Sequence, residues 1–282
     1  MNRRITGSAL VRTVAALVLA GAAGCGSAVP MPGRDAAPVA DAAAATAPSR
    51  AETLCSSWVD LEASGGNTLL GVNLTWVGQE RVQRAVRQFW SLRQPILASM
   101  HENAPDEIRD ATQTMVFLAD RGAVDGDPTL LWSPALKEAN RSVGEYMLAQ
   151  CGFPHVTVTA TDSSFSGLPA ELPGGTLAIT LTNRGRYIHQ LVVSRIDDDL
   201  SIPYTDVLAL LDDGNYQTAP VKLAFTNAEP GESTTVFLRL EPGRYGVADF
   251  FTGRTTRFDV AGTGPPNYRS GLVGEFGVAG DG

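Results

Sequence analysis

Few side chains in this sequence can do chemistry, and their spacing limits what they could do. Three cysteines stand far apart, at Cys25, Cys55 and Cys151, and three histidines at His101, His155 and His189. A thiolate metal or redox site needs cysteines held together, as in a C-x-x-C spacing, and that spacing is missing. No G-x-S-x-G, H-E-x-x-H or Walker A pattern occurs, and no histidine stands beside a recognisable nucleophile motif, so the expectation is a protein that is not an enzyme. The run Asp197-Asp198-Asp199 lacks the glycine-spaced ligands of a calcium loop and reads as a solvated turn, with calcium binding as the sharper alternative. Trp58, Trp76, Trp90 and Trp132 all fall in the first half of the chain, where they either pack a core or line a ligand groove or interface.

These residues must be positioned by a chain of 282 residues, a length that suits two domains. With 44% hydrophobic and 18% charged residues, there is enough apolar surface to fold and too little charge for wholesale disorder. The net charge of −8 lacks the basic footprint of a nucleic-acid binder, so no nucleic-acid partner is expected. Arg3, Arg4 and Arg12 precede an apolar run from Val14 to Ala23 that is too short to span a bilayer, and residues 1–24 therefore read as an export signal. Residues 25–48 carry Pro30, Pro32, Pro38 and Pro48 among Ala, Gly and Ser, the composition of a tether.

Helical periodicity starts at Ser49-Arg50-Ala51-Glu52, which has the S-x-x-E form of a capping box. Apolar residues at three- and four-residue spacing predict four helices in residues 49–153: Leu54, Trp58 and Leu61; Val82, Val86 and Phe89; Ile108, Met115 and Leu118; Leu136, Val143 and Met147. After Pro154 the period changes to two, with Val156, Val158 and Ala160 alternating with threonines. Further strands are expected at 177–182, 188–196, 234–240, 245–251 and 256–260, and a short helix at 203–213. The fold class read from this order is α+β with two domains, a four-helix bundle (49–153) and then a β-sandwich (154–280).

Ala22-Ala23-Gly24-Cys25 resembles the bacterial lipobox, and the resemblance implies that Cys25 becomes a lipidated amino terminus. Only Lys137 and Lys222 among the 22 basic residues are lysines, a bias that looks like a high-GC actinobacterial genome. With Cys25 lipidated, Cys55 and Cys151 remain, and an oxidising compartment lets them pair; two buried free thiols and a redox or metal pair are the competing readings. A bridge of this kind would close the helical domain as a unit and leave the sandwich independent. The helical half itself looks like the domain of actinobacterial lipoproteins in which an early cysteine and a Cys-Gly bracket the bundle.

In the second half, Leu181-Thr182-Asn183-Arg184-Gly185 followed by His189 resembles the opening of cupredoxin-like domains, where a strand ending in Asn-x-Gly precedes the first copper-ligating histidine. Leu240-Glu241-Pro242-Gly243-Arg244-Tyr245 resembles the family's L-x-P-G-x-Y strand, which leads to a cysteine ligand four residues on; that position is Asp249. Asn267 and Leu272 stand where the family has its second histidine and its methionine. The resemblance thus implies a Greek-key cupredoxin-like sandwich in which His189 alone keeps its ligand type, and Asp249, Asn267 and Leu272 are vestigial positions. A blue-copper centre needs a thiolate and two imidazoles, so neither metal nor any other cofactor is expected. Together these readings predict a non-catalytic binding or interaction protein, anchored by lipid on the extracytoplasmic face of the cell membrane, with a cell-envelope protein or small ligand as partner. The alternative is a copper- or zinc-binding or delivery protein using His189.

Overall fold

The computed structural model of the chain describes residues 48–65, 78–212, 220–258 and 260–280. The export signal, Cys25, nearly all of the tether and Trp76 lie outside the described residues. Five α-helices and nine strands are found among them, in the order of helices first and a mixed two-sheet β-sandwich second. Four helices precede the strands: α1 (Arg50–Gly65), α2 (Gln79–Asn103), α3 (Asp106–Asp125) and α4 (Pro134–Gln150). The fifth, α5 (Tyr204–Asp212), lies within the sandwich.

The local signals explain the helices. The Ser49 hydroxyl accepts from the Glu52 backbone N–H at 3.2 Å, and the Glu52 carboxylate accepts from the Ser49 N–H at 2.7 Å, which caps α1 at both orphan donors. Ser133 caps α4 through a bond from the Leu136 N–H, with Pro134 at the first helical position. The apolar stripes are buried together in one core that holds Leu54, Trp58, Val86, Phe89, Met100, Met115, Val143 and Met147. Gly122 of α3 lets Trp90 pack flush, since a Cβ there would fall 2.0 Å from the indole.

The strands are β1 (His155–Ala160), β2 (Phe165–Ser166), β3 (Glu171–Leu172), β4 (Gly175–Asn183), β5 (His189–Arg195), β6 (Val221–Ala228), β7 (Ser233–Leu240), β8 (Gly243–Ala248) and β9 (Val273–Val278). One sheet has the order β2-β1-β4-β7 and the other β3-β9-β8-β5-β6. β1 runs parallel to β4 and β3 parallel to β9; the other pairs are antiparallel. Alternate residues of the facing strands, such as Leu177, Ile179, Leu181, Val236 and Leu238 on one sheet and Leu191, Val193, Tyr245, Val247 and Phe276 on the other, fill the space between them.

Two differences from the sequence expectations have clear causes. Among the described residues of the 256–260 run there is no strand beyond one isolated Arg257–Val260 bridge, and the loop is tied instead through Thr255, which donates its hydroxyl to Thr252 O and accepts from the Ile188 N–H at its carbonyl. The expected strand at 245–251 stops at Ala248: the Asp249 N–H still bonds its register partner Leu272 O, but the Leu272 N–H turns to Asn267 O and Asp249 O accepts from the Tyr268 N–H, so the ladder ends there.

Cys55 and Cys151 form a disulfide with Cα atoms 5.9 Å apart, tying α1 to the residue that follows α4. The sandwich is not independent of the helices. Phe237 of β7 and Ala178 of β4 face away from the inter-sheet core and are buried in the helical one. Trp58 meets the Phe237 ring edge-on at 6.3 Å and Phe153 meets it at 6.0 Å. The alternation of the strand puts Val236 and Leu238 in one core and Phe237 in the other, so a single strand joins both.

Candidate functional site

His189, Asp249, Asn267 and Leu272 converge at one end of the sandwich. His189 opens β5, Asp249 directly follows β8, and Asn267 starts a 3-10 turn (Asn267–Ser270) that leads through Leu272 into β9. All four are buried, His189 to 1% exposure and Asp249 to 0%. The backbone braids them: Asp249 N–H donates to Leu272 O at 3.0 Å, Leu272 N–H to Asn267 O at 3.2 Å, and Tyr268 N–H to Asp249 O at 2.9 Å.

The Asp249 carboxylate is the hub. Its Oδ2 accepts from Asn267 Nδ2 at 2.9 Å and lies 2.8 Å from His189 Nδ1, and its Oδ1 accepts from the Phe251 N–H at 2.9 Å. A carboxylate oxygen that accepts here takes its bond from an Nδ1–H of the imidazole. Burying such a group is costly unless it is fully bonded, and these three donors are what make the burial tolerable.

The other imidazole nitrogen is different. His189 Nε2 is buried without a hydrogen bond, and Asp162 Oδ1, from the turn after β1, stands 3.5 Å away. Burial works to raise the Asp162 carboxyl, but hydrogen bonds from the Arg186 side chain and backbone, with the His189 imidazole adding to them, outweigh it and hold the group below its ordinary value. Gly185 roofs this point, where a Cβ would lie 2.5 Å from Asp162 Oδ1 and 2.7 Å from His189 Nε2. Asn183 fixes the roof, accepting from the Gly185 N–H at 2.8 Å and donating to Tyr187 O and Ala228 O. The Asn-x-Gly phrase therefore has a local physical role. Asp162 and Arg186 carry no comparable sequence signal, as they reach the site across 24 residues.

The residues present do not fit a blue-copper centre. The set offers one imidazole, a carboxylate already bonded three times, an amide engaged with that carboxylate, and an aliphatic side chain, with no thiolate. Among the described residues no three His, Cys, Asp or Glu side chains are grouped to hold a metal ion. His101 is paired with Thr112 at 3.0 Å inside the helices and His155 with Thr180 at 2.7 Å on the outer face of the first sheet, so neither joins His189. Trp58 and Trp90 are core residues. The aspartate run forms a turn in which Asp197 accepts from the Asp199 N–H and Asp198 pairs with Arg195. A groove of about 400 Å³ runs between α5 and Tyr268, where Asp212 accepts from the Tyr268 hydroxyl and the Arg269 guanidinium.

No family profile and no curated protein matches the chain. Among solved structures, reduced auracyanin from Roseiflexus castenholzii is 20% identical over 45% of this chain and 97% of its own, with a TM-score of 0.30. Auracyanin A from Chloroflexus aurantiacus, a blue copper protein, is 16% identical over 44% of this chain and 99% of its own, at 0.27. A purple cupredoxin from Nitrosopumilus maritimus is 15% identical over 45% and 99%, at 0.23.

Proposed function

We propose that this chain is a lipid-anchored, extracytoplasmic binding or interaction protein whose β-sandwich is cupredoxin-like and works without copper or catalysis. The observation that carries the reading is the hydrogen-bonded cluster at Asp249: the place where the motif phrases locate copper ligands is filled by His189, Asp249 and Asn267 bonded to one another. The motif phrases and the convergence of all four positions support the cupredoxin-like assignment, and the helical half then serves as the platform between sandwich and membrane. Among the described residues no helix is long and apolar enough to cross a membrane, so attachment in this reading falls to Cys25. An amino-terminal lipid with two acyl chains is sufficient for stable anchoring. Labelling with a fatty-acid analogue tests it: the wild-type chain takes label and Cys25→Ser does not.

One observation favours a second reading, transient copper or zinc binding at His189: its Nε2 is unbonded and faces Asp162. Isothermal titration with Cu(II) and Zn(II), comparing the wild type with His189→Gln, separates the two. Weak and equal heats support the interaction reading, and a stoichiometric site lost in the variant supports the metal reading.

A further inference from the structure

In an acidic chain, arginines gather on the loops at the end of the sandwich that holds Asp249. Arg184 and Arg186 lie between β4 and β5, and Arg254 lies in the long loop after β8; all three are exposed, Arg186 with 79% of its side chain. The two loops are adjacent, since Ile188 N–H donates to Thr255 O at 2.9 Å. Arg184 N–H in turn bonds Ala160 O at 2.8 Å, which joins the same end to β1.

Among the described residues the acids at this end are largely occupied. Asp162 pairs with Arg186 at 2.7 Å, Asp249 is buried, and Glu229 and Glu232 share Lys137 at 3.0 and 2.8 Å. Among the described residues Arg184 and Arg254 have no ion-pair partner. The same two loops carry half-buried aromatic rings: Tyr187, 5.5 Å from the Arg186 guanidinium, and Phe251 and Phe258, whose centroids are 6.3 Å apart. Arginine and tyrosine are the residue types that anchor protein interfaces.

Arg254 adds an independent observation. Among the described residues it is the one non-glycine with a left-handed backbone, at φ 59°. Such a conformation is unfavourable for a side chain with a Cβ, and residues held there cluster at binding sites. Glycine would relieve the backbone but could not place a guanidinium at the tip of the loop.

We infer that this end of the sandwich, with Arg184, Arg186 and Arg254 around Tyr187, Phe251 and Phe258, is a docking surface for an acidic protein segment whose carboxylates seat on the guanidinium groups while its apolar side chains cover the rings. The inference rests on the interaction reading above and names its surface and partner chemistry. The aromatic rings on the same loops favour a protein segment over a purely anionic surface, because a polyanion gives them nothing to bury against.

The test uses the purified chain and a labelled peptide of alternating glutamate and leucine, followed by fluorescence anisotropy. The peptide binds saturably, a peptide with lysine in place of glutamate does not, and affinity falls as sodium chloride rises from about 0.05 to about 0.3 M. Arg184→Gln and Arg254→Gly each weaken binding by about two- to fivefold, the range for one exposed charge pair. Arg254→Gly leaves the melting temperature equal or higher, so its loss of binding is not a folding defect. A peptide that fails to bind, or that binds Arg254→Gly as it binds wild type, overturns the surface. So does a Cys25→Ser chain that binds phosphatidylglycerol vesicles and ignores the peptide, which would assign the arginines to lipid. A failed peptide titration together with no copper chromophore removes this surface and leaves the interaction reading standing, whereas a copper chromophore removes that reading itself.

Discussion

Asp249 has no route to water and three donors aimed at it, so its neighbours are arranged for a carboxylate and for nothing softer. Asp249→Ala leaves the Asn267 amide, the Phe251 N–H and His189 Nδ1 without their acceptor in a closed site. We expect a loss of about 3 kcal/mol or more in urea denaturation, because removing one member of a buried bonded set exposes the full desolvation penalty of the others. A loss below about 1 kcal/mol would mean that water reaches the site and that the cluster is not closed. At this scale the positions of His189, Asp249, Asn267 and Leu272 were readable from short phrases, because each phrase marks where a strand ends and a loop turns inward. Their mutual bonds were not readable, since they depend on side-chain directions set by three separate segments: the start of β5, the residue after β8 and the 3-10 turn before β9. The Asp162–Arg186 pair was silent for the same reason.

The helices were legible to within a few residues because caps and apolar stripes are local signals, as at Ser49 and Ser133. Strand β6 was missed although Val221, Leu223 and Phe225 alternate in it; its fully buried positions are the small Ala224 and Ala228, and the larger apolar residues stand on the less buried face, with Val221 exposed. The run at 256–260 misled in the opposite direction: its described residues form no strand, and Thr255 just before it bonds the loop ahead of β5. One element carries a pH prediction. On α1, burial raises the Glu62 carboxyl to about 7 while the nearby Arg93 pulls it back, and burial lowers Arg93 to about 10. A carboxyl raised on folding binds its proton more tightly in the native state, so stability is greatest below the unfolded value and declines as pH rises. The melting temperature should fall between about pH 4.5 and about pH 7 through this group, and Glu62→Gln should flatten that limb. An unchanged slope in Glu62→Gln would remove Glu62 as its source.

The whole molecule is stitched where β7 serves two cores. Phe237→Ala should cost about 3 to 5 kcal/mol and loosen both halves, as it removes the ring that Trp58 and Phe153 pack against. Reducing Cys55–Cys151, which spans 96 residues, should lower the melting temperature of the entire molecule, by up to about 4 to 5 kcal/mol of stability in the chain-entropy account. Calorimetry should show one transition before and after reduction; a β-sandwich transition unmoved by reduction would contradict the shared core. The order of helices then strands was legible from the change of period at Pro154, but the joint was not, because Phe237 looks in sequence like any outward strand residue. Function is set at this same scale, by whether the end of the sandwich receives a metal or presents a closed surface. The most direct measurement is optical absorption of the purified chain titrated with Cu(II). No intense thiolate-to-copper band is expected at one equivalent, since Cys55 and Cys151 are bonded to each other and the partner of the buried His189 is the carboxylate of Asp249. A stoichiometric blue or red chromophore would contradict it.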